Sequence, residues 1–347
     1  MAVIYGDAAD NVLLDTVGKD RIFGGLGNDT ITNTSGYDIL HGDDGRDVIV
    51  SNSYNVYSYG DADNDDITSL GAAGYAYGGF GSDTLFASSG SSAFGDEGSD
   101  TLTATDDSYA YGGEDNDSMT GGYVVDGGNG DDTVIGSTIG NYLYGGSGFN
   151  LIFGLDGADY IYGGVDDDYI YGGTGSDSVY GNYGNDIIYL DENNDIGDAG
   201  YGDDIVFGGT GNDKYDGKAG DDLLYGGSGK DNLIGGSGDD TLYGGLGADR
   251  LRGSSGVDTF IFESAADMGL GKNQDQITDF VTGVDKIDLT SLGGGLYFVG
   301  SSAFSGNAGE VRFEASNTTV QIDLDGGGID VSIKLFTLLF VETDLIL

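Results

Sequence analysis

A nine-residue period runs through most of this chain and limits its fold more than any other feature. The unit reads Gly-Gly-x-Gly-x-Asp-x-U-x, where U is a large apolar residue. Clean copies are Gly24 to Thr32 (GGLGNDTIT), Gly78 to Phe86 (GGFGSDTLF), Gly127 to Ile135 (GGNGDDTVI), Gly172 to Tyr180 (GGTGSDSVY), Gly208 to Asp216 (GGTGNDKYD), Gly226 to Ile234 (GGSGKDNLI) and Gly235 to Tyr243 (GGSGDDTLY). A unit this short cannot bury its own apolar side chain, so successive units must stack on one another. Gly accounts for 69 of 347 residues and Pro for none, which excludes collagen and Pro-rich linkers. A flexible Gly-rich linker is excluded because it would not lock an apolar residue to a nine-residue period.

The unit resembles the calcium-binding nonapeptide of RTX proteins. That resemblance implies an all-β, right-handed parallel β-roll solenoid with two nonapeptides per turn. The chemistry of the residues agrees. Glycines permit positive φ and let carbonyl oxygens face inward. The Asp at position six adds a carboxylate. Carbonyls and carboxylates, in a chain with no Cys and one His, are ligands for a hard cation such as Ca²⁺. The last three positions form a short strand with U inward and its neighbours outward. The register runs from Gly6 to Phe86 and passes through weaker units at Ala87 to Phe94, Ala104 to Tyr111 and Gly121 to Asp126. It resumes from Gly127 to Ile261. That makes about 28 units and about 14 turns, roughly 65 Å at ~4.8 Å per turn.

With two units per turn, each Asp lies beside the Asp of the next turn, and alternate units fall on opposite edges. One edge carries Asp29, Asp47, Asp65, Asp83, Asp100, Asp117 and Asp132, a gap at Asn150, then Asp168, Asp186, Asp204, Asp222, Asp240 and Asp258. The other begins with Asp20 and Asp38 and then degenerates through Ser51 to Tyr59, Ser69 to Tyr77, Ala87 to Phe94 and Ala104 to Tyr111. It recovers at Asp159, Asp177, Asp213, Asp231 and Asp249. These aspartates are the expected metal ligands, for roughly 20 Ca²⁺ in all. The second edge is expected to be largely metal-free between about residues 50 and 145.

Degenerate units place aromatics at outward strand positions. Tyr57, Tyr59, Tyr75, Tyr77, Tyr109, Tyr111, Tyr142 and Tyr144 are expected to form an exposed face and a contact surface, with Phe94, Tyr160 and Tyr162 continuing it. Cross-strand stabilisation explains the same pattern, because Tyr favours strands. The opposite sheet carries outward Thr at Thr30, Thr32, Thr84, Thr101, Thr103, Thr120 and Thr133. Val48, Val50, Asp66 and Phe86 interrupt these ranks, which argues against an ice-binding lattice.

The net charge of −48, with 12 Lys plus Arg, excludes nucleic acid as a partner. It also calls for a neutralising cation if the chain is to be compact. At 38% hydrophobic and 11% aromatic residues, the chain is not a disordered acidic tail. No apolar run could span a membrane; the longest, Leu335 to Val341, is broken by Thr337. The N-terminus shows no signal peptide. His41, the single His, falls at an outward position and reads as a surface residue. No nucleophile-base set is available, so the chain reads as a non-enzyme.

After Ile261 the repeat stops. Asp275 to Leu289 (DQITDFVTGVDKIDL), with Asp258-Thr259-Phe260 before it, is similar to the segment that closes the β-roll of serralysin-type secreted proteins. The final Asp344-Leu345-Ile346-Leu347 resembles their C-terminus. The resemblance implies type I secretion through an uncleaved C-terminal signal. Nothing of the protease carries over, because repeats begin at Gly6. The expected organisation is a roll over 1–261 and a β-rich cap over 262–347, with Phe280, Ile287, Leu289, Phe298, Phe313 and Ile322 covering the open end. Asp323 to Asp330 reads as a turn.

Three functions remain open. The first is a secreted structural protein of the cell surface or matrix, assembling with itself or with surface components through the aromatic face and the roll ends. The second is a folding and secretion module without its enzyme. The third is an ice- or polysaccharide-binding solenoid.

Overall fold

The computed structural model of the protein describes residues 1–105, 107–337 and 339–347. Asp106, in the weak unit 104–111, and Leu338, in the apolar run 335–341, lie outside the described residues. The chain divides into two compact units, Met1–Ile170 and Tyr171–Leu347.

The first unit is a parallel solenoid. One sheet is built of six-residue strands such as Arg21–Leu26, Ile39–Asp44, Tyr57–Ala62 and Tyr75–Phe80. The other has strands of three or four residues, such as Thr30–Asn33, Val48–Ser51 and Asp66–Ser69. Each strand pairs in parallel with the strand one turn on: Arg21 with Ile39, Ile39 with Tyr57, Thr30 with Val48. Burial alternates as the repeat dictates. The U residues Ile22, Ile31, Leu40, Ile49, Leu85 and Leu102 are at most 1% exposed, while their neighbours face outward.

The weak units fold in register with the rest, but their core is different. The inward positions of the six-residue strands hold Ser58, Ala76, Ala93 and Ala110, all fully buried. Bulk that elsewhere points inward is moved to the outer face as Tyr. The turns also shorten. Thr84 pairs with Thr101 and Thr101 with Ser118, 17 residues apart, and Ser118 pairs with Thr133, 15 apart.

The second unit continues the same two kinds of strand. Six-residue strands run from Ser178–Tyr183 to Arg250–Ser255, and three-residue strands from Ile187–Tyr189 to Thr259–Ile261. The last nonapeptide strand thus ends at Ile261, where the repeat ends in sequence. An antiparallel hairpin-like set follows, made of Glu310–Glu314, Thr319–Asp323 and Val331–Leu335. Ile287, Leu289 and Ile322 are fully buried, Phe280 and Phe313 nearly so. Phe298 is half-buried, edge-on to Phe340 at 5.9 Å.

Tyr215 occupies a U position and is buried among smaller residues. Its register partner, Gly197, has no side chain, and a Cβ there would lie 2.9 Å from the Tyr215 Cβ. Glycine at one turn makes room for the ring at the next.

Candidate metal centre

The turns between strands bring the position-six aspartates into buried columns. All twenty sequence-predicted aspartates are at most 3% exposed: Asp20, Asp29, Asp38, Asp47, Asp65, Asp83, Asp100, Asp117, Asp132, Asp159 and Asp168 in the first unit, and Asp177, Asp186, Asp204, Asp213, Asp222, Asp231, Asp240, Asp249 and Asp258 in the second.

Along the columns one carboxylate oxygen has a structural task that the sequence did not reveal. The backbone N–H of Asp29 donates to Asp47 Oδ1 at 2.6 Å, Asp47 to Asp65 at 2.7 Å, and Asp65 to Asp83 at 2.7 Å. The ladder continues through Asp100, Asp117 and Asp132. In the second unit one ladder runs Asp186, Asp204, Asp222, Asp240, Asp258 and the other runs Asp177, Asp195, Asp213, Asp231, Asp249.

The second oxygen is left over. Oδ2 of Asp29, Asp47, Asp65, Asp83, Asp100, Asp117 and Asp132 is buried with no hydrogen-bond donor. So is Oδ2 of Asp195, Asp204, Asp213, Asp222, Asp231, Asp240, Asp249 and Asp275. Most face the glycine at position one of their unit; Asp195, Asp204 and Asp275 instead follow Leu190, Ala199 and Leu270 at that position. A Cβ placed on Gly42 would lie 2.2 Å from Asp47 Oδ2 and 2.7 Å from the Gly60 carbonyl oxygen, and Gly60 stands in the same relation to Asp65 and Gly78. Carboxylate and carbonyl oxygens therefore crowd one point with no donor between them.

Burial, together with neighbouring carboxylates, pushes the acids up: Asp47, Asp100 and Asp231 to about 7, and Asp65 and Asp204 to about 8, against the opposing pull of the ladder N–H. A row of buried anionic oxygens converging with carbonyls fits a hard divalent cation and little else.

Two predicted ligands differ from the rest. Asp20 Oδ2 accepts from the backbone N–H and hydroxyl of Thr16, and Asp38 Oδ2 accepts from Asn33 Nδ2 at 2.6 Å. Both stand in the column, but protein donors already satisfy their second oxygen. Asn150 fills the gap in the other column: its Oδ1 accepts from Asp132 N–H at 3.1 Å and its amide donates to the Gly148 carbonyl.

Three column members escaped the sequence reading. Asp195 joins Asp177 and Asp213. Asp275 accepts from Asp249 N–H at 2.8 Å, and Asp285 from Asp258 N–H at 3.3 Å, so the closing segment ends both ladders. Asp275-Gln276-Ile277 and Asp285-Lys286-Ile287 repeat the Asp-x-U half of the unit, which was the available signal. Asp323 to Asp330 is the expected turn. Its carboxylates lie close together and accept from the N–H groups of Leu324, Gly326, Gly327 and Gly328.

The outward tyrosines form stacks. A continuous series runs Tyr5, Phe23, His41, Tyr59, Tyr77, Phe94 and Tyr111, with ring centroids 4.8–5.3 Å apart. Tyr57 and Tyr75 stack at 4.8 Å, Tyr144 and Tyr162 at 5.1 Å, and Tyr109 and Tyr142 each meet Tyr123 edge-on. The expected exposed face is therefore half-buried. Ring faces are used against one another, leaving edges and hydroxyls to solvent. His41 is part of the stack, not an isolated surface residue, and its Nδ1 lies 2.8 Å from Asp61 Oδ2.

Fold and columns together define a calcium-binding parallel β-roll. Comparison with known families places it further. The RTX calcium-binding nonapeptide repeat matches residues 5–40, 34–53, 124–138, 135–170, 162–197 and 191–224, and the peptidase M10 serralysin C terminal matches residues 223–347. The chain is thus a calcium-binding RTX-repeat protein with a serralysin-type C-terminal domain. The unmatched stretch between 53 and 124 contains most of the degenerate edge. No curated protein matches the chain. Among solved structures, the solution structure of the AlgE6R3 subunit from the Azotobacter vinelandii Mannuronan C5-epimerase is 27% identical. That match covers 45% of this chain and 78% of that one, with a TM-score of 0.26. No helix among the described residues is long and apolar enough to cross a membrane.

Proposed function

We propose that the chain is a non-catalytic structural protein of the cell surface or extracellular matrix. In this reading it is exported by the type I route, folded by extracellular calcium, and assembled with other copies of itself or with matrix components. The ions are held between turns by the second carboxylate oxygens that lack a protein donor and by the position-one carbonyl oxygens beside them. About 20 ions would cancel about 40 of the negative charges. Folding is thereby confined to compartments with millimolar calcium.

The aromatic ladder of the first unit is the observation that supports assembly. It stands apart from the aspartate columns, and it presents Tyr edges and hydroxyls along one face. Such rings combine apolar area with a polar tip, and weak contacts repeated along a face gain strength through avidity. The serralysin-type C-terminal match supports a second reading, a secretion module separated from its enzyme.

Electron microscopy and light scattering of the protein in millimolar Ca²⁺ separate the two. Filaments or layers are expected, and replacement of Tyr57, Tyr75, Tyr109 and Tyr142 by Ser should reduce them while calcium-induced folding persists. Monodisperse rods at high concentration would favour the module, and a quadruple variant that assembles like the wild type would discard the Tyr57–Tyr142 column as an interface.

A further inference from the structure

The second unit carries a groove that neither the metal columns nor the closing segment uses. Along one outward column of its six-residue strands stand Tyr183, Tyr201, Ala219 and Ser237, each in register with the next. Tyr183 and Tyr201 stack at 5.1 Å with their planes 8° apart. There the ladder stops. Ala219 presents a methyl group where a third ring would lie, and Ser237 follows it. A groove of about 600 Å³ opens over these two small residues. Tyr201 is 61% exposed. One ring of thickness is missing from a column whose strand spacing is ~4.8 Å, and the next flat face in that column belongs to Tyr201.

Polar groups border the same space. Asp198, Asn182 and Lys218 line it. Lys218 Nζ lies 3.2 Å from Asp198 Oδ2, at the groove wall, and 3.1 Å from Asp216 Oδ2, which ties the ammonium to both carboxylates. Lys218 holds φ +77° at the second position of its unit, where the turns on either side have Gly200 and Gly236. A long charged side chain has replaced glycine at a backbone position that strains it.

We propose that this groove binds a neutral pyranose unit of a glycan. The C–H face of the sugar stacks on Tyr201 in the space above Ala219, and its hydroxyls meet Asp198, Asn182 and the Lys218 ammonium. An aromatic platform rimmed by a few convergent polar groups is the architecture of a small-molecule site. Charge selects a neutral sugar over a uronate. One ammonium stands against two carboxylates here, so the local charge disfavours an anionic saccharide. The site needs the folded roll but not the assembly proposed above.

The test is affinity electrophoresis and calorimetry of the full chain in calcium, dilute enough to stay unassembled. The probes are soluble β-glucan, dextran and galactomannan, with polygalacturonate as the anionic comparison. At least one neutral polysaccharide should be retained. Tyr201→Ser should weaken binding about tenfold or more, since one stacking face is lost. Ala219→Tyr is the sharper variant. It extends the existing ladder, so folding in calcium is kept, but it fills the groove and should abolish retention. The proposal is overturned if none of the three neutral polysaccharides is retained, if polygalacturonate binds more tightly than all of them, or if both variants bind like the wild type. Light scattering on the same samples reports assembly separately, so either reading can fail alone.

Discussion

The two edges of the first unit are built from the same chain in alternation, yet they solve the turn differently. On one edge, position one is Gly42, Gly60, Gly78, Gly95 or Gly112, and position six is Asp47, Asp65, Asp83, Asp100 or Asp117, always five residues on. On the other, position one carries a side chain: Asn33, Ser51, Ser69, Ala87 and Ala104. Position six becomes Asp38, Val56, Gly74, Ser91 and Ser108. All of these described side chains are buried. The spacing falls from five residues to four at Ala87–Ser91 and Ala104–Ser108.

On these two edges a Cβ at position one and a carboxylate at position six crowd one space. On the intact edge of the first unit, glycine leaves room for the carboxylate and an oxygen is left for a cation. On the degenerate edge beyond Asp38, Cβ enters, the carboxylate is absent, and the turn packs as ordinary protein whose length is free to shrink. The second unit accommodates both at Leu190 with Asp195 and Ala199 with Asp204. Asp38 is the intermediate case, with the Asn33 amide in the place of the ion.

Chelation should expose the difference most severely. In EDTA the stacked carboxylates of the intact edge repel one another, and the degenerate edge alone cannot hold the turns together. Circular dichroism should show nearly all β signal lost and restored by millimolar Ca²⁺. A strong β signal in EDTA would mean that packing, not metal, carries the roll.

Single carboxylates sharpen the contrast. Asp65→Ala and Asp231→Ala each remove a ladder acceptor and a ligand shared by adjacent turns, and should raise the calcium midpoint of folding by roughly threefold or more. Asp107 lies on the degenerate edge, exposed, and among the described residues it bonds locally with Thr105 and Ser108. Asp107→Ala should leave the midpoint within error. Equal shifts would erase the distinction between the edges.

A methyl group tests the steric half of the argument. Gly60→Ala places Cβ 2.2 Å from Asp65 Oδ2 and 2.5 Å from the Gly78 carbonyl oxygen. It should cost about 2 kcal/mol in thermal or denaturant unfolding at saturating calcium. The opposite change on the other edge, Ala87→Gly, removes a buried methyl without admitting a ligand and should cost about 1 kcal/mol. A harmless Gly60→Ala would show that the turn can relax around both groups.

Much of this was legible in the sequence because the nine-residue period fixes direction as well as spacing: inward U residues, outward flanks and the burial of the position-six aspartates along the turns follow from it. The omissions have physical causes. Asp195 sits in LDENNDIGD, which lacks the glycine pair and has Gly197 at the apolar position, because the core there is filled by Tyr215 from the next turn. Asp275 and Asp285 were hidden because the step between turns lengthens to 26 and 27 residues as α-helical and irregular segments intervene. The ladder of backbone N–H to carboxylate, and the stacking of Phe23 and His41 with tyrosines, depend on side-chain direction across turns, which linear spacing does not encode.

The smallest expected effect concerns Asn150, the amide that interrupts the carboxylate column of the intact edge between Asp132 and Asp168. Its position reproduces the aspartate geometry. Oδ1 receives the Asp132 N–H, and the other amide atom lies where a Cβ on Gly145 would approach to 2.7 Å, beside the Gly163 carbonyl oxygen. Asn150→Asp therefore adds a ligand oxygen to a cradle that already exists and removes the hydrogen bond to Gly148. The two changes have opposite signs in opposite conditions. At saturating calcium the added carboxylate should stabilise by about 1 kcal/mol or less, because one hydrogen bond is lost as one ligand is gained. At calcium too low to fill the column, it is one more buried charge beside Asp132 and should destabilise. The folding curves of variant and wild type against calcium should cross, with the variant steeper. Parallel curves would mean that position 150 does not share an ion with its neighbours, and that the column binds calcium in separate blocks on either side of the amide.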